Sequence, residues 1–365
     1  MKVLVTGAAG FIGHAVAARL LERGDEVVGV DNHNDYYDPA LKEARVARII
    51  GRAGYRHVRM DVADRDAMER LFALHRPARV VHLAAQAGVR HASVDPHAYV
   101  SSNLVGFLHV LEGCRNHGVE HLVFASSSSV YGAGRQLPFA EHQGTDHPLS
   151  LYAATKKANE VMAHAYAHLY GLPATGLRFF TVYGPWGRPD MSPMLFARAI
   201  MGGDPISVFN HGRHTRSFTY IDDIVEGVLR ALDHLPTPDA HWDPAAPDPA
   251  TSPVAPYRLY NIGNGRPVEL MRFIQLLESR LGRKAKMEFL PMQPGDMPDT
   301  VCDESALEAA TGHVPRISIE EGVAGFADWY LGYTASPPVP SRQAPRPVTA
   351  PDTAPVRAPA VAGPA

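Results

Sequence analysis

The chain has 365 residues, of which 45% are hydrophobic and 20% are charged, and its formal net charge at pH 7 is −3. These values are near the average for soluble globular proteins, so they exclude a wholly disordered, collagenous or coiled-coil chain. Because 35 Lys and Arg oppose 38 Asp and Glu, no global positive field attracts nucleic acid or an anionic membrane. The length favours two lobes or one large α/β domain with an appended part.

The sequence contains two cysteines, Cys114 and Cys302, which are too few for a disulfide framework and are typical of a reducing compartment. Its amino terminus reaches glycine after a short apolar run, which is too short for the core of a signal peptide. The sequence has no run of about 18 apolar residues that could form a transmembrane helix. We therefore expect a cytoplasmic protein that binds neither nucleic acid nor a membrane.

The first half of the chain alternates apolar β-rich runs with segments of helical periodicity. The helical segments are residues 14–23, 96–116 and 151–170. The β-rich runs are residues 3–6, 26–30, 55–60, 79–84, 121–127 and 174–180. Because these runs are apolar on both faces, they predict a parallel sheet covered by helices on both sides. We predict an α/β fold with a Rossmann-type, doubly wound parallel sheet whose principal part is residues 1–180.

The second half has shorter elements and predicts a smaller C-terminal α/β substrate lobe over residues 181–333, with the option of returning elements to the first domain. Helical patterns cover residues 193–201, 221–234 and 267–281. Residues 236–256 are rich in Pro, Ala and Asp, which predicts a solvent-exposed loop. Residues 335–365 form a Pro/Ala-rich tail without apolar periodicity, so we expect this tail to be disordered.

Three glycines follow the first predicted strand at a spacing typical of a nucleotide-binding turn. Gly7, Gly10 and Gly13 lie between that strand and the first helix. Glycine there allows backbone N–H groups to approach a pyrophosphate at the positive end of the helix. Asp31 ends the second strand, where its carboxylate would accept hydrogen bonds from ribose hydroxyls and repel a 2′-phosphate. The pattern therefore predicts a dinucleotide site that favours NAD over NADP.

Tyr152 and Lys156 stand four residues apart in a predicted helix, so their side chains lie on one face. An ammonium beside a phenol stabilises the phenolate, which lowers the phenol pKa from about 10 toward the range of a general base. The spacing alone is equally typical of a solvated helix face. The preceding strand, however, ends in four serines, residues 126–129, and the carboxyl end of a parallel strand borders the ligand crevice. Together these features predict a catalytic site.

Over residues 1–333 the chain resembles the extended short-chain dehydrogenase/reductase family, and within it the UDP-glucuronate 4-epimerases. The segments that carry the resemblance are DNHNDYYD, AAQAGVR, SSSSVYG, YAATKKANE, RFFTVYGPWGRPDM, RSFTYIDDIV, NIGN and MQPGD. The resemblance implies a tightly held NAD, a UDP-sugar substrate, a Ser–Tyr–Lys active site and a homodimer. By the spacing to Tyr131, the catalytic serine falls on Ser127, and Tyr152 and Lys156 complete the catalytic group.

The expected cofactor site extends the glycine turn and Asp31 with neighbouring residues at strand ends. It comprises Gly7, Gly10, Phe11, Ile12, Gly13, Asp31, Asn32, Asp61, Val62, Leu83, Ala84, Ala85, Asn103, Tyr152 and Lys156. Asp61 and Val62 follow the third predicted strand and are placed at the edge of the adenine. An ordinary turn at the strand end explains these two residues equally well.

The expected substrate site combines serines of the fifth strand with arginines of later segments. It comprises Arg90, Ser127, Ser128, Ser129, Tyr152, Thr181, Arg188 and Arg216. Arg216 resembles the family's diphosphate-contacting arginine, which suits the bidentate geometry of a guanidinium. Thr181 and Arg188 bracket a loop that the resemblance places against the sugar carboxylate. Arg90 is a second candidate for binding an anion, and either Arg90 or Arg188 could instead be an ordinary surface ion-pair partner.

Two positions distinguish the reactions of this family. A 4,6-dehydratase carries Asp-Glu directly after its catalytic threonine, and UDP-glucuronate decarboxylases commonly carry glutamate two positions before the motif tyrosine. This chain has Ser128 and Ser129 there, and serine cannot serve as an ionisable acid or base at neutral pH. We therefore expect 4-epimerisation of UDP-glucuronate to UDP-galacturonate through a 4-keto intermediate. The open alternatives are a UDP-glucose 4-epimerase, a UDP-glucuronate decarboxylase and a catalytically inactive relative that senses NAD or binds RNA.

Glu160, His164 and His168 lie along the predicted helix of Tyr152 at a spacing that metal sites use. Related proteins use this helix in a dimer-forming bundle, so we favour interface or solvated histidines. The remaining histidines show no ligand cluster in the sequence. We therefore expect no metal.

Overall fold

The fold is organised around a seven-stranded parallel sheet, and the computed structural model describes residues 1–292, 297 and 299–335. The strands before residue 180 are β1 Lys2–Thr6, β2 Glu26–Asp31, β3 Tyr55–Arg59, β4 Arg79–His82, β5 His121–Ser127 and β6 Ala174–Phe179. The strands after it are β7 Thr181–Tyr183, β8 Pro205–Val208, β9 Thr215–Arg216, β10 Phe218–Tyr220, β11 Tyr257–Ile262, β12 Val268–Glu269, β13 Lys286–Phe289 and β14 Asp299–Thr300.

The strand order of the large sheet is β11-β6-β5-β4-β1-β2-β3, and its paired strands run parallel. The winding direction reverses between β1 and β4, which is the topological switch point of a doubly wound sheet. The register places Thr6 beside Val30 and His82. The residues that follow these three therefore leave the sheet at one edge. This topology confirms the predicted fold class.

Helices cover both faces of the sheet and build the second half of the chain. They are α1 Phe11–Glu22, α2 Pro39–Ala47, α3 Arg65–His75, α4 Pro96–Tyr99, α5 Gly106–His117, α6 Leu151–Tyr170, α7 Ser192–Gly202, α8 Ile221–Asp233, α9 Leu270–Leu281, α10 Ser305–Thr311 and α11 Ile319–Ala335. A π-helical segment, Val100–Val105, joins α4 to α5, so the helix predicted over 96–116 is continuous but contains one wider turn. Within the described ranges, no helix combines the length and apolarity needed to span a membrane.

Three large apolar cores hold these layers together, and a smaller cluster surrounds Tyr131 and Phe139. On one sheet face α1 and α8 contribute Leu20 and Val228, and on the other α3 and α5 contribute Phe72 and Phe107. The third core is formed within residues 183–330, by α7, α9, α11 and the short strands. Because α8 and β11 belong to the first two cores, the chain after residue 180 divides between the sheet domain and a smaller lobe.

One loop differs from its prediction. Residues 236–256 contain no helix or strand, as predicted, but the expected exposure is wrong at the end of the segment, where Ala250, Ser252 and Ala255 are buried. The cause is the sheet edge, because the carbonyl of Ala250 accepts a hydrogen bond from the N–H of Leu259 in β11 at 2.8 Å. The predicted tail beyond Ala335, and residues 293–296 of the MQPGD segment, lie outside the described residues.

Candidate active site

A cavity of about 530 Å³ lies at the edge where β1, β2, β4 and β5 end. Its volume is in the range of small-molecule sites, which is about 300–1,000 Å³. Every residue predicted for the cofactor and substrate sites lines this cavity, with the exception of Asn103. The sheet topology therefore brings together residues that are separated by up to two hundred positions in the sequence, from Gly7 to Arg216.

Asn103 lies behind the cavity wall and supports it. Its side-chain oxygen accepts a hydrogen bond from the N–H of Gln86 at 2.8 Å. Its amide nitrogen donates to the carbonyl of Gln86 at 3.1 Å and to Oγ1 of Thr155 at 3.0 Å. The side chain therefore fixes the segment after β4 against α6, and its hydrogen-bonding groups are engaged with protein atoms.

The glycine turn has no room for side chains. Gly7 has φ of +72°, and a Cβ there would lie 2.8 Å from the backbone nitrogen of Ala84. A Cβ on Gly13 would lie 2.1 Å from the carbonyl oxygen of Gly7. Helix α1 begins at Phe11, directly after the turn, so the positive end of its dipole borders the cavity. This arrangement can bind a phosphate through backbone N–H groups.

Asp31 is held in one orientation at the end of β2. One of its carboxylate oxygens accepts from the N–H of Ala9 at 3.1 Å and the other from the N–H of His33 at 2.9 Å. The side-chain amide of Asn32 donates to Asp61 at 2.9 Å and so ties the ends of β2 and β3 together. Two carboxylates thus border the end of the cavity that lies beside β2 and β3.

Ser127, Tyr152 and Lys156 meet where β5 ends and α6 begins. Ser150 caps α6, since its Oγ accepts from the N–H of Ala153 at 3.1 Å, and this places Tyr152 in the first turn. The hydroxyl of Ser129 donates to Oγ of Ser127 at 2.9 Å. The predicted four-residue spacing is therefore realised on a capped helix, with both side chains in the cavity wall.

The protonation of this group is set mainly by burial. Burial raises the pKa of Tyr152, whereas a hydrogen bond to Ser127 and the charge of Arg188 oppose that rise. Burial lowers the pKa of Lys156 to about 8, and its ammonium donates to the carbonyl of Ala125 at 2.9 Å. The sequence argument assigned the stabilisation of the phenolate to Lys156. In the structure a hydrogen bond to Ser127 and the charge of Arg188 oppose the effect of burial on the Tyr152 phenol, and the role of the Lys156 charge stays a prediction.

Not all four serines of residues 126–129 border the ligand space with their hydroxyls. The hydroxyl of Ser126 donates to Oε1 of Glu160 at 2.6 Å in the protein interior. Ser126 still contributes to the cavity wall, as predicted, but the predicted direction of its hydroxyl is wrong, because side chains alternate between the two faces of a strand. Ser128 and Ser129 continue past Ser127 in a short 3₁₀ helix along the cavity.

Arg188 lines the cavity and shares contacts with two residues that the sequence analysis did not select, Tyr36 in the lining and Asp190 behind it. Its guanidinium donates to both carboxylate oxygens of Asp190, from Nε at 3.1 Å and from Nη2 at 2.5 Å. The hydroxyl of Tyr36 donates to the same carboxylate at 3.1 Å. Arg188 therefore combines features of both interpretations, since it has a carboxylate partner and also lines the cavity, and its binding of the substrate stays a prediction.

Arg90 and Arg216 both line the cavity and come from different segments of the chain. The guanidinium of Arg90 lies 5.3 Å from the ring centroid of Phe209, so it packs against the smaller lobe. Arg216 donates to the carbonyls of Thr215 at 3.0 Å and Met297 at 2.7 Å. Both arginines are therefore held by contacts of their own while lining the ligand space.

The charges around the cavity are unequal. Among the described lining residues, five are cations: Lys42, Arg90, Lys156, Arg188 and Arg216. Two are carboxylates, Asp31 and Asp61, and both lie at the strand ends beside β2 and β3. The remainder of the cavity is consequently positive and suits a ligand that carries several negative charges.

Lys42, Asn34 and Gln86 are further polar residues of the wall that the sequence analysis did not select. The ammonium of Lys42 donates to the backbone carbonyl of Asn34 at 2.9 Å and to its side-chain oxygen at 2.6 Å. Asn34 in turn donates to the side chain of Gln86 at 3.4 Å. The sequence contained a signal for two of these residues. Asn34 belongs to the DNHNDYYD segment and Gln86 to the AAQAGVR segment, and both segments carry the family resemblance.

Glu160 and His164, two of the three residues with metal-ligand spacing, have protein partners. The carboxylate of Glu160 is buried and binds the guanidinium of Arg178 at 2.8 Å and 3.0 Å. His164 shares a hydrogen bond with the hydroxyl of Ser252 at 3.1 Å. Across the described ranges, no group of three or more His, Cys, Asp or Glu side chains is arranged to hold a metal ion.

Comparisons with known proteins agree with the resemblance. Residues 3–242 match the profile of the NAD dependent epimerase/dehydratase family. A probable UDP-glucuronate 4-epimerase of Rhizobium meliloti is 49% identical over 333 residues, covering 90% of this chain and 97% of that protein.

Two solved structures show the same architecture. A UDP-glucuronic acid 4-epimerase from Bacillus cereus, crystallised with UDP-glucuronic acid and NAD, has a TM-score of 0.81 at 30% identity, covering 91% of this chain and 99% of that one. A UDP-glucose 4-epimerase from Thermotoga maritima, crystallised with UDP-glucose, has a TM-score of 0.79 at 29% identity, covering 92% and 100%. The predicted family is thereby confirmed.

Proposed function

Because the chain belongs to the NAD dependent epimerase/dehydratase family, we propose that it converts UDP-glucuronate into UDP-galacturonate by NAD-dependent epimerisation at C4. One observation carries the proposal: Ser127, Tyr152 and Lys156 share a cavity with an excess of cations. A nucleotide diphosphate linked to a sugar acid carries several negative groups, which suit a described lining that has more cations than carboxylates. The Rhizobium meliloti and Bacillus cereus relatives, named for this reaction, support the choice of sugar.

The residues of the cofactor end fit NAD. The turn at Gly7 and Gly13 leaves no space for a Cβ, so the backbone can contact a pyrophosphate directly. Asp31 is oriented by two backbone N–H groups and would accept hydrogen bonds from the adenosine ribose. Its charge disfavours a 2′-phosphate, which supports NAD over NADP. NAD, when bound, supplies a hydride acceptor and donor for C4 of the sugar.

Tyr152 is the proposed acid and base. Its phenolate takes the proton of the 4-hydroxyl and becomes the phenol, while the hydroxyl of Ser127 hydrogen bonds the same oxygen. The hydrogen bond to Ser127 and the charge of Arg188 favour the phenolate against the effect of burial. After the 4-keto sugar has turned its other face toward the cofactor end, Tyr152 returns the proton to the oxygen, and C4 is inverted.

The 4-keto derivative of a sugar acid is a β-keto acid and loses CO₂ readily when the carboxylate bond aligns with the carbonyl π system. An epimerase must therefore hold the carboxylate in another orientation. Ser128, Ser129, Thr181 and Arg188 line the cavity and are the proposed restraints. Three hydroxyls and one guanidinium provide both hydrogen bonds and charge for this purpose.

The lining argues against the other reactions of the family. Dehydration and the usual form of decarboxylation need a carboxylic acid near C5 or C6. The carboxylates among the described lining residues are Asp31 and Asp61, which lie at the cofactor end. Ser128 and Ser129 occupy the positions where those enzymes carry acids. Retention of Ser127, Tyr152 and Lys156 likewise argues against an inactive NAD-sensing or RNA-binding relative.

A homodimer is the second part of the proposal. The segment around α5 and helix α6 expose large apolar side chains: Val105 is 40% exposed, Leu108 39%, Val161 58% and Leu169 65%. Apolar surface on neighbouring helices favours self-association about a twofold axis. Light scattering on Val161→Glu should show a shift from dimer to monomer, and a wild-type monomer would contradict the proposal. The cytoplasmic location stays a prediction.

The decisive experiment incubates the purified protein with UDP-glucuronate, UDP-glucose and UDP-xylose and separates the products by chromatography. We expect UDP-galacturonate from UDP-glucuronate at a higher kcat/KM than any UDP-galactose from UDP-glucose. Formation of a UDP-pentose as the main product from UDP-glucuronate would identify the protein as a decarboxylase. No turnover of any UDP-sugar by protein with bound NAD would instead support the inactive relative.

A further inference from the structure

Arg45 has a hydrogen-bond partner for each of its guanidinium donors and lies next to the cavity, although it is not a lining residue. Its side chain is among the largest that are fully buried. Nε and Nη2 donate to the carbonyl of Trp186 at 3.0 Å and 2.7 Å, and Nη2 also donates to Gly187 at 3.2 Å. Nη1 donates to the carbonyl of Ala9 at 3.0 Å and the hydroxyl of Tyr37 at 2.6 Å. These five bonds match the five donors of a guanidinium.

The four oxygen atoms that receive these bonds carry no net charge. A buried cation without a carboxylate partner costs stability unless its hydrogen bonds are complete. The positive charge of Arg45 therefore remains uncompensated next to the start of α1. Burial lowers the pKa of His14 in α1 to about 3, and the charges of Arg48 and Arg45 add to that decrease.

The partners of Arg45 belong to three functionally distinct segments. Ala9 is in the glycine turn, Tyr37 follows β2, and Trp186 and Gly187 precede Arg188 in the loop after β7. The N–H of Ala9 donates to Asp31 while its carbonyl accepts from Arg45. A continuous path of hydrogen bonds and backbone thus runs from the proposed ribose acceptor to the arginine at the sugar end.

The loop that receives Arg45 is held in a conformation it would not adopt alone. Trp186 has φ of +66°, which is unfavourable for a residue with a side chain and persists only where contacts enforce it. Its ring packs on Trp329 and Tyr333 of α11, with centroids 5.4 Å and 5.5 Å apart. The loop therefore joins the smaller lobe on one side and Arg45 on the other.

We propose that Arg45 is a positioning residue that couples occupation of the glycine turn by NAD to the placement of residues 184–191, and hence of Arg188. The inference rests on the proposed function for the identity of the cofactor. A pyrophosphate held by the turn fixes the peptide of Ala9, and Arg45 transmits that order to Trp186 and Gly187. Lysine cannot replace it, because an ammonium lacks the planar fork that reaches three segments at once.

Hydrogen exchange of wild type, Arg45→Met and Arg45→Lys, with and without NAD and without any sugar, tests the coupling. Arg59→Lys is the matched control, because the side chain of Arg59 is 65% exposed. Peptides covering residues 7–13 and 184–191 report on the two segments, and β11 reports on global stability. In wild type and the control, NAD should slow exchange at least tenfold in both segments. In both Arg45 variants NAD should protect residues 7–13 but leave 184–191 unprotected.

Several results would overturn this inference. One is equal protection of residues 184–191 by NAD in the Arg45 variants and in wild type, and another is no protection of these residues in wild type. If hydrogen exchange in the Arg45 variants is also faster in β11, Arg45 only stabilises the fold and does not couple the two segments. If Arg45→Met does not fold, Arg45→Lys carries the same test. Because no sugar is present, these outcomes do not depend on whether UDP-glucuronate is the substrate.

A second readout connects the coupling to the reaction. With UDP-glucuronate, Arg45→Lys should keep its NAD but release at least tenfold more decarboxylated UDP-sugar per epimer formed, since Arg188 loses its position. The KM for UDP-glucuronate should also be higher in Arg45→Lys than in wild type. An unchanged product ratio and KM would contradict a positioning role even if exchange in the loop increased.

Discussion

Substitution of Arg188 by alanine would reveal whether the cavity recognises the carboxylate of the sugar. Asp190 engages Nε and Nη2 of Arg188 in the structure, so a ligand carboxylate would meet the remaining donors of the guanidinium. Loss of a hydrogen bond to a charged group costs about 1.5–3 kcal/mol. At about 1.4 kcal/mol per tenfold, kcat/KM for UDP-glucuronate should fall about 10- to 150-fold from this contact.

Arg188 has a second effect that does not depend on the sugar. Its charge lowers the pKa of Tyr152, so its removal leaves the phenol with a pKa still further above its usual value. The acidic limb of the kcat profile should therefore move to higher pH with every substrate. The decrease in kcat/KM that occurs with UDP-glucuronate but not with UDP-glucose therefore measures the carboxylate contact.

The assay compares kcat/KM for the two UDP-sugars from neutral to alkaline pH, in wild type, Arg188→Ala and Arg216→Ala. Arg216→Ala is the control. Loss of a contact to the diphosphate, which both substrates share, should weaken the binding of the two UDP-sugars equally. Where UDP-glucose turns over too slowly, dissociation constants measured with bound NAD give the same ratio. Asp190→Asn separates the two roles, since it frees Arg188 from its carboxylate partner without removing the guanidinium.

Equal damage to both sugars in Arg188→Ala, after correction for the shift in pH profile, would refute carboxylate recognition by this residue. The chain would then be a general UDP-sugar epimerase, provided that the wild type also turns over both sugars at equal rates. A selective loss in Arg216→Ala would refute the assignment of that arginine to the diphosphate.

Three further substitutions have defined outcomes. Tyr152→Phe should reduce turnover by about 10²-fold or more while NAD stays bound, and near-normal turnover would place the base elsewhere. Asp31→Ala should release NAD during purification, as nucleotide analysis by chromatography would show, and recovery of NADP as the main nucleotide from wild type would contradict the assignment. Glu160→Gln should lower the free energy of unfolding in urea by about 3–5 kcal/mol, because Arg178 is fully buried and loses its counter-charge. A loss below about 1 kcal/mol would instead match a solvent-exposed pair.

Local features of this protein followed from the sequence. The spacing of Gly7 and Gly13, the carboxylate of Asp31 after the second strand and the four-residue step from Tyr152 to Lys156 each depend on neighbours in one element. Strand and helix periodicity then predicted the parallel sheet, and a parallel sheet gathers the ends of its strands at one edge. For that reason the composition of the cavity could be anticipated before its shape was known.

The tertiary structure decided which side chains face each other. The sequence grouped Ser126 with the three serines that follow it, but the strand directs its hydroxyl to Glu160, which Arg178 neutralises from another strand. The sequence also left open which elements after residue 180 return to the first domain, and pairing with β6 places β11 in the large sheet.

The contact between Arg45 and Trp186, which are 141 residues apart, was likewise decided only by the tertiary structure. No local pattern marks a buried arginine that binds only uncharged oxygens, because in sequence it looks like any basic residue on a helix. Its role is set when the glycine turn, the segment after β2 and the loop after β7 pack around one guanidinium. The sequence could therefore determine the elements and their chemistry, while the links between distant loops required the packed molecule.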